Sequence, residues 1–311
     1  MSKTERFMTK TIVVWFGALI CCILWGSASS CIKLGYKWFE IPQEAVATQI
    51  LFAGCRFTMA GILAIIIGSI FQRKVLLPKR ESISKIIKLS MLQTVGQYIF
   101  FYIGLANTTG VKASIVGGVN VFIAIMIASL IFHQETLTMK KLIGSVIGFA
   151  GVVLVNVAGN GISMSFSWSG EGAIFLSTVA YAFSSVFLKR YSKDEDPVIL
   201  SGYQFIVGGI IMMLCGALMG GRLTVFTGQG IAILIYLAFV SAVAYSLWGI
   251  LLKYNPVSRV AVFGFMNPVF GVILSAILLD ESKSLNMTCI ISLVLVCVGI
   301  YIVNMQGKEK R

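Results

Sequence analysis

The sequence predicts an all-α integral membrane protein, with ten transmembrane helices arranged as two inverted-topology five-helix repeats. Three observations support this: the composition, the length of the apolar runs and an internal repeat. Apolar residues make up 58% of the 311 residues and charged residues 12%, with a mean hydropathy of +0.92. Soluble proteins carry about 25% charged residues, so most of this chain does not face water.

Continuous apolar runs of about 20 residues, the length of a helix that spans a bilayer core, recur along the chain. They do not alternate as the strands of a membrane β-barrel do. The first follows three basic residues but is longer than the core of a cleavable signal peptide, so we interpret it as a retained helix. The ten predicted spans are Ile12–Leu34, Ala47–Phe71, Ile86–Leu105, Ala113–Phe132, Leu142–Ala158, Gly172–Leu188, Val198–Met219, Gly230–Leu252, Val260–Leu279 and Met287–Val303.

The formal charge of +13 is explained by orientation. With the N-terminus in the cytoplasm, 19 of the 25 lysines and arginines fall on the cytoplasmic side, five fall outside and Arg56 lies within a span. This asymmetry follows the positive-inside rule. It predicts a multi-pass plasma-membrane protein with both termini cytoplasmic, and the short loops favour a bacterial inner membrane. We expect the lipid bilayer, and not nucleic acid, to be its partner.

Catalytic and metal-binding motifs are missing from the sequence. The seven cysteines lie within spans without a CxxC pair, as small apolar packing residues do. There is no Walker-type phosphate loop, HExxH or GxSxG motif. We therefore predict neither an enzyme nor ATP drive, with no cofactor and no metal.

An internal repeat divides the chain. The stretch AGCRFTMAG, beginning at Ala53, is answered 148 positions later by SGYQFIVGG, with Arg56 replaced by Gln204. Other matches keep an offset of 146–148 residues, among them Glu135 with Glu281. We predict repeats over residues 1–159 and 160–311. Because each holds five helices, the second must enter the membrane inverted, which is a transporter plan with a midplane site.

These motifs resemble the EamA type of the drug/metabolite transporter superfamily. The resemblance covers nearly the whole chain and rests on Trp25-Gly26 with Lys33, Arg56-Phe57, Glu135, and Asn267-Pro268 with Glu281. It implies ten helices in two inverted repeats, secondary transport, and substrates among amino acids and related metabolites.

Polar residues within the spans are the candidates for a substrate site. Arg56 is interpreted as a gate or an anchor for a carboxylate, or as a structural arginine, because a charge inside a membrane should face protein or a water-filled cavity. Gln93 and Gln97 share one helix face, and Tyr245 and Trp248 belong to the matching stripe of the eighth helix. We expect both stripes to face a central cavity, although helix–helix hydrogen bonding is the alternative.

The remaining candidates are an asparagine pair and an aromatic pair. Asn120 and Asn267 lie mid-helix, where they either join the cavity or link helices. Trp25 and Tyr181 take equivalent positions in the two halves and either line the cavity or pack.

Four residues are candidates for coupling or gating. Glu135 and Glu281 end their helices, where they either couple protons to transport or remain solvated surface acids. His133, the only histidine, is a candidate pH sensor. Pro268 either bends its helix at a gate or serves packing. Proton coupling and passive facilitation both stay open.

The leading functional interpretation is a secondary transporter, working as an exporter, that moves small organic metabolites such as amino acids by alternating access. Two alternatives stay open: a flippase for lipids or lipid-linked sugars, and a non-transporting membrane sensor or scaffold. The sequence leaves the oligomeric state undetermined.

Overall fold

The computed structural model describes residues 3–42, 44–157, 166–278 and 287–305. Ten helices within these ranges are long and apolar enough to cross a membrane, and a short helix, Lys3–Met8, precedes them. The ten are α1 Thr11–Trp38, α2 Val46–Gln72, α3 Arg80–Ala106, α4 Lys112–Ile131, α5 Met139–Val157, α6 Trp168–Tyr191, α7 Pro197–Leu218, α8 Gly228–Tyr254, α9 Val257–Leu274 and α10 Met287–Asn304.

The predicted all-α membrane fold with ten spanning helices is confirmed. The spans agree with the helices to within a few residues, and α3 differs most, since it begins at Arg80 rather than Ile86. The predicted boundary at residues 159/160 and Glu281 both lie outside the described residues.

Four helices are irregular, and all four line the cavity described below. Wide π-helical turns occur at Ser90–Gly96 in α3, Ile127–Ile131 in α4 and Trp168–Gly172 in α6. Such turns are frequent at functional sites. In α9 a tight 3-10 turn, Val262–Phe265, comes just before Pro268, whose ring removes a backbone donor and crowds the carbonyl four residues earlier.

Helices α2 and α7 cross in close contact at glycines. A Cβ atom on Gly209 would lie 2.5 Å from the backbone nitrogen of Thr58 and 2.9 Å from the carbonyl oxygen of Gly54. One on Gly61 would collide with the carbonyl oxygen of Gly202. Only glycine lets two helix backbones approach this closely.

The contacts of this crossing are reciprocal. Gly54 contacts Gly209. The repeat equivalent of Gly54 is Gly202 and that of Gly61 is Gly209, and Gly202 contacts Gly61 in the same way. Reciprocal contacts of this kind are expected when a two-fold axis relates two units.

Helices α5 and α10 repeat the same arrangement. Gly144 packs against Gly299, and Gly151 packs against Ser292. The 148-residue offset makes Ser292 the equivalent of Gly144, and Gly299 that of Gly151. Both tight crossings therefore join one helix of the first half with one of the second.

The largest buried apolar cluster lies towards the end of the bundle where the chain begins. It includes Val14 of α1, Leu251 of α8 and Phe263 of α9. Cys21 and Cys22 belong to it, and their thiols donate to the backbone carbonyls of Ala244 and Phe263. This end is solidly packed, whereas the opposite end encloses a cavity.

Candidate functional site

A cavity of about 660 Å³ lies between the two halves. Its walls come from α1, α3 and α4 of the first half and from α6 and α9 of the second. Small-molecule sites are typically about 300–1,000 Å³. Among the described lining residues Lys33 is the only charged side chain, so the cavity is built for neutral polar and aromatic contact.

The cavity opens at the end of the bundle opposite the N-terminus. Lys33 near the end of α1 and Leu105 near the end of α3 line it, and both are solvent-exposed. Its floor lies midway along the helices and consists of Trp25, Asn120, Tyr181 and Asn267.

Beneath the floor lies a second, very small pocket of about 10 Å³. The same four floor residues line it from one side, and Ser185, Trp248 and Leu252 lie among its other walls. The floor residues are therefore shared by the two pockets.

Aromatic rings pack around the floor. The Trp25 ring lies edge-on to Tyr245, at 5.1 Å between centroids, and to Trp248, at 5.0 Å. The hydroxyl groups of Tyr98 and Tyr245 are hydrogen-bonded at 2.9 Å. These two tyrosines are 147 residues apart, the offset of the internal repeat.

Several buried polar atoms of the lining have no hydrogen-bond partner within the described chain. They include the indole nitrogen of Trp25 and the side-chain oxygens of Gln97 and Asn267. Buried polar groups in proteins are nearly always satisfied, and each one left unpaired costs about 1–3 kcal/mol. The residues that line the cavity thus carry both donors and acceptors without partners.

Arg56 lies close to this wall and is 4% exposed. Its guanidinium carbon is 4.2 Å from the Phe57 ring centroid and 5.6 Å from that of Tyr98. A buried cation–π contact stabilises the arginine by about 2 kcal/mol. Placing an arginine in the middle of a membrane helix costs at least about 2.5–3.5 kcal/mol. The Arg56 Nε atom is buried without a hydrogen-bond partner, and no described acidic residue pairs with the side chain.

The opposite end of the bundle is held shut by polar contacts between the halves. The Glu135 carboxylate accepts from the backbone nitrogen of Ser258, at 3.0 Å, and from its hydroxyl, at 2.8 Å. Lys141 Nζ lies 3.4 Å from the same carboxylate.

Next to these contacts, Lys189 joins α6 to the end of α8 within the second half. Its ammonium group donates to the carbonyls of Leu252, at 2.9 Å, and Asn255, which end α8. The Asn255 amide donates in turn to the carbonyl of Met8, at 3.1 Å. We call Glu135, Lys189, Asn255 and Ser258 the closed-end latch.

Loops at this end are also joined by an ion pair. Lys85 Nζ lies 2.7 Å from the Asp194 carboxylate. The hydrogen bond from the Lys85 ammonium holds the pKa of the Asp194 carboxyl below its ordinary value. The ion pair links the start of α3 to the loop after α6.

The mouth has a contact of its own between the halves. The Glu171 carboxylate accepts from the Thr108 hydroxyl, at 2.7 Å, and from the backbone nitrogen of Ser167, at 2.8 Å. Lys112 Nζ lies 2.9 Å from it. These contacts fix the start of α6 beside the turn between α3 and α4 while the cavity stays open.

The sequence matches the EamA-like transporter family over residues 12–157 and again over residues 168–305. The chain belongs to this family. The resemblance read from the sequence is therefore confirmed, and this EamA-like transporter is a multi-pass membrane protein.

Its relatives carry the same general description. It is 24% identical to the uncharacterized transporter YvbV of Bacillus subtilis, over 90% of each chain. It is 26% identical to the uncharacterized inner membrane transporter YedA of Escherichia coli K12, over 88% of this chain and 86% of that one. Among the solved structures, a crystal structure matches with a TM-score of 0.77 at 17% identity, over 95% of this chain and 97% of the other, which shows the fold alone.

Six of the predicted site residues lie on the cavity wall of this EamA-like transporter: Trp25, Gln97, Asn120, Tyr181, Asn267 and Pro268. For Trp25 and Tyr181, the cavity alternative agrees with their position. Gating by Pro268 and substrate binding by the other five of these six residues stay predictions.

Other predicted residues lie behind the wall. Gln93 is 1% exposed within the π-helical turn of α3, which packs on α7 through a 2.6 Å hydrogen bond from Thr94 to Gln204. The expectation that both glutamines face the cavity therefore holds for Gln97 alone. Tyr245 is buried between the rings of Trp25 and Phe205, and Arg56 also lies outside the lining.

Trp248 lines only the small pocket beneath the floor. Packing against the Trp25 ring keeps it out of the large cavity. The tyrosine and tryptophan of the predicted α8 stripe thus support the floor rather than form the wall.

The coupling and gating candidates have different surroundings. The Glu135 side chain is 5% exposed, so the solvated-acid alternative is wrong, because Ser258 and Lys141 enclose the carboxylate. His133 is exposed and has a left-handed backbone, with φ of 48°.

Sequence reasoning missed three tyrosines of the wall, Tyr36, Tyr98 and Tyr102. Tyr98 carried a usable signal, because it precedes Tyr245 by the repeat offset. Tyr36 and Tyr102 carried none, since isolated tyrosines are common near helix ends. In the part of the chain that the structure describes, no group of three or more His, Cys, Asp or Glu side chains could hold a metal.

Proposed function

We propose that this chain is a secondary transporter, working as an exporter, that moves small organic metabolites such as amino acids by alternating access at the midplane cavity. The observation that carries the proposal is the cavity, which is open at one end, closed at the other, and lined by buried polar atoms that need partners. A bound solute supplies those partners at the floor, halfway between the two ends.

The internal repeat supports alternating access. Tyr98 and Tyr245 are repeat equivalents that touch each other, and so are Phe57 and Phe205, whose rings stack at 5.1 Å. Equivalent residues meet only on a two-fold axis, so we infer inverted pseudo-symmetry through the cavity region. Exchange of conformation between the repeats then closes the present mouth and opens the latched end.

The lining indicates the size and polarity of the solute. Amides, hydroxyls and aromatic rings form most of its polar surface, and acidic side chains are missing from the described lining residues. Such a wall suits neutral or zwitterionic metabolites with an apolar part, as many amino acids are. The proposal assigns the cavity no chemical step on its solute.

Charge sets the proposed orientation. The basic residues favour a cytoplasmic N-terminus, and the cavity mouth lies at the opposite end. The described conformation is then outward-open, as after release of an exported solute. The relative named as an inner membrane transporter supports a bacterial inner membrane.

Transport by purified protein tests the proposal. Proteoliposomes preloaded with single radiolabelled amino acids should lose at least one of them faster than empty-membrane controls do. Gln97→Ala with Asn267→Ala removes two unpaired acceptors of the wall and should lower that flux roughly tenfold. The measurement is initial efflux rate per mole of reconstituted protein.

A matched double variant controls for stability. Gln229→Ala with Asn304→Ala removes the same side-chain types outside the cavity and should leave flux unchanged. If no amino acid moves but fluorescent lipids change leaflet, the protein is a flippase. If neither amino acids nor lipids move, the result favours a non-transporting sensor or scaffold.

A further inference from the structure

Arg56 is a buried cation without an acidic partner beside the cavity. Its side chain is 4% exposed, its Nε has no hydrogen-bond partner, and its only described close partners are the rings of Phe57 and Tyr98. Ring faces attract its charge but do not accept its in-plane N–H groups as an oxygen does. The guanidinium therefore retains unused capacity to bind an anion.

Arg56 lies beside Tyr98, a tyrosine of the cavity wall. Tyr36 and Tyr102 line the cavity together with Tyr98. The ring of Tyr98 lies 5.6 Å from the guanidinium carbon. Because Arg56 is not part of the described lining, contact between its guanidinium and a solute requires side chains of the wall to move.

We propose that Arg56 binds the carboxylate of the transported solute, and that the substrates of this protein are therefore small carboxylic acids, zwitterionic amino acids foremost. A guanidinium pairs with a carboxylate through two parallel N–H···O bonds. The inference rests on the proposed transport function and narrows its substrate class.

The rest of the lining fits the other end of an amino acid. The side-chain oxygens of Gln97 and Asn267 are buried acceptors without described partners, and an ammonium group offers three donors. An amine without an acid group would instead bring a second positive charge near Arg56. The described lining holds no acid to offset that repulsion.

The second half shows that packing at this position does not require an arginine. Its equivalent, Gln204, is fully buried in the same α2–α7 crossing and accepts a hydrogen bond from Thr94. An amide therefore occupies the equivalent position in one half, with its oxygen paired and its nitrogen without a described partner. The charge in the other half needs a separate reason, and a ligand carboxylate provides one.

Binding of matched probes tests the inference. Leucine, leucinamide and isoamylamine share a side chain but differ in the acid group, as do phenylalanine, phenylalaninamide and phenethylamine. Affinity is measured by ligand-induced shifts in the thermal unfolding midpoint of purified protein, and counterflow in proteoliposomes confirms transport. We expect each acid to bind at least about tenfold tighter than its amide, and the amines to bind no better.

Substitutions test whether Arg56 causes the preference for acids over amides. Arg56→Gln, the residue of the second half, should weaken acid binding about tenfold and leave amide binding within about twofold. Arg73→Gln makes the same substitution at an exposed position and should keep the preference intact. Arg56→Lys keeps the charge without the planar fork and should fall between the two.

The outcomes separate the two proposals. Transport of amides or amines as good as that of acids would overturn the carboxylate inference and leave the transporter standing. An acid preference that survives in Arg56→Gln would overturn the role of Arg56. If that variant does not fold, the wild-type comparison of acid with amide still decides, and if no probe binds or moves, both proposals fall for amino acids.

Discussion

The contact between Tyr98 and Tyr245 places two equivalent residues against each other at the level of the cavity floor. Their hydroxyls lie 2.9 Å apart, and the Tyr245 ring also packs on Trp25 and Phe205. Because the pair belongs to both halves, it can persist when their conformations are exchanged. Under the proposed alternating access, it would be a fixed point around which the walls rearrange.

We expect Tyr98→Phe and Tyr245→Phe each to destabilise the protein by about 0.5–1.5 kcal/mol, because each leaves the other hydroxyl buried without its partner. The double variant should cost less than the sum, with a coupling of about 0.6 kcal/mol, as is typical inside membranes. A double-mutant cycle on unfolding free energies measures this. As a control, Tyr301→Phe changes an exposed tyrosine and should leave the free energy of unfolding unchanged. Strictly additive effects of Tyr98→Phe and Tyr245→Phe would contradict the hydrogen bond between the two hydroxyls.

At this scale the sequence predicted only part of the site. Mid-span Trp25 and Asn267 could be identified because polar and aromatic groups inside a membrane need a partner or a cavity. Gln93 could not be separated from Gln97, because the π-helical turn and its packing on α7 depend on tertiary structure. The surroundings of Glu135 depended on Ser258, 123 residues away.

At the scale of helices, the glycine-lined crossing of α2 and α7 is the most constrained contact. Gly209 meets the backbone of Thr58, which cannot move aside as a side chain can. The two helices should therefore behave as one rigid pair during transport.

Gly209→Ala should force this pair apart and lower stability by roughly 1–3 kcal/mol, the usual cost of overpacking. Gly228→Ala is the matched control, because a Cβ atom there meets nothing within 4 Å. Thermal unfolding of both variants in the same detergent makes the comparison. Equal unfolding midpoints for the two would contradict the close crossing.

Hydrophobic length was enough to predict the helices, because a bilayer leaves few other structures for a long apolar run. The wide turns in α3, α4 and α6 were not predicted, since no residue type marks them. Pro268 indicated an irregularity in α9 but not the 3-10 turn before it.

At the scale of the whole molecule, the two ends of the bundle differ in kind. One holds an open mouth, and the other is closed by the latch and the large apolar cluster. The proposed alternating access requires the latch to break in the second state, so we expect its strength to set the balance between the two conformations.

Glu135→Gln should weaken the latch, because an amide gives up the charge-assisted bonds to Ser258 and Lys141. We expect the latched end to open more often. A cysteine replacing Ser185, beneath the floor, should then react several-fold faster with maleimide applied from the N-terminal side, in a background without native cysteines.

Glu81→Gln removes an exposed acid and should leave that rate unchanged. Equal labelling of the Glu135 and Glu81 variants would show that the latch does not control the equilibrium. The sequence identified Glu135 as a gating candidate from its repeat position, but it gave no sign of the latch partners.

Both tight crossings, α2 with α7 and α5 with α10, join the first half to the second. Neither half therefore has a fully packed interior without the other. During synthesis, the first five helices enter the bilayer with glycine-lined grooves that only later helices cover. A ribosome stalled between the halves would leave a fragment exposed to membrane proteases, whereas two separately encoded fragments should rescue one another when made together.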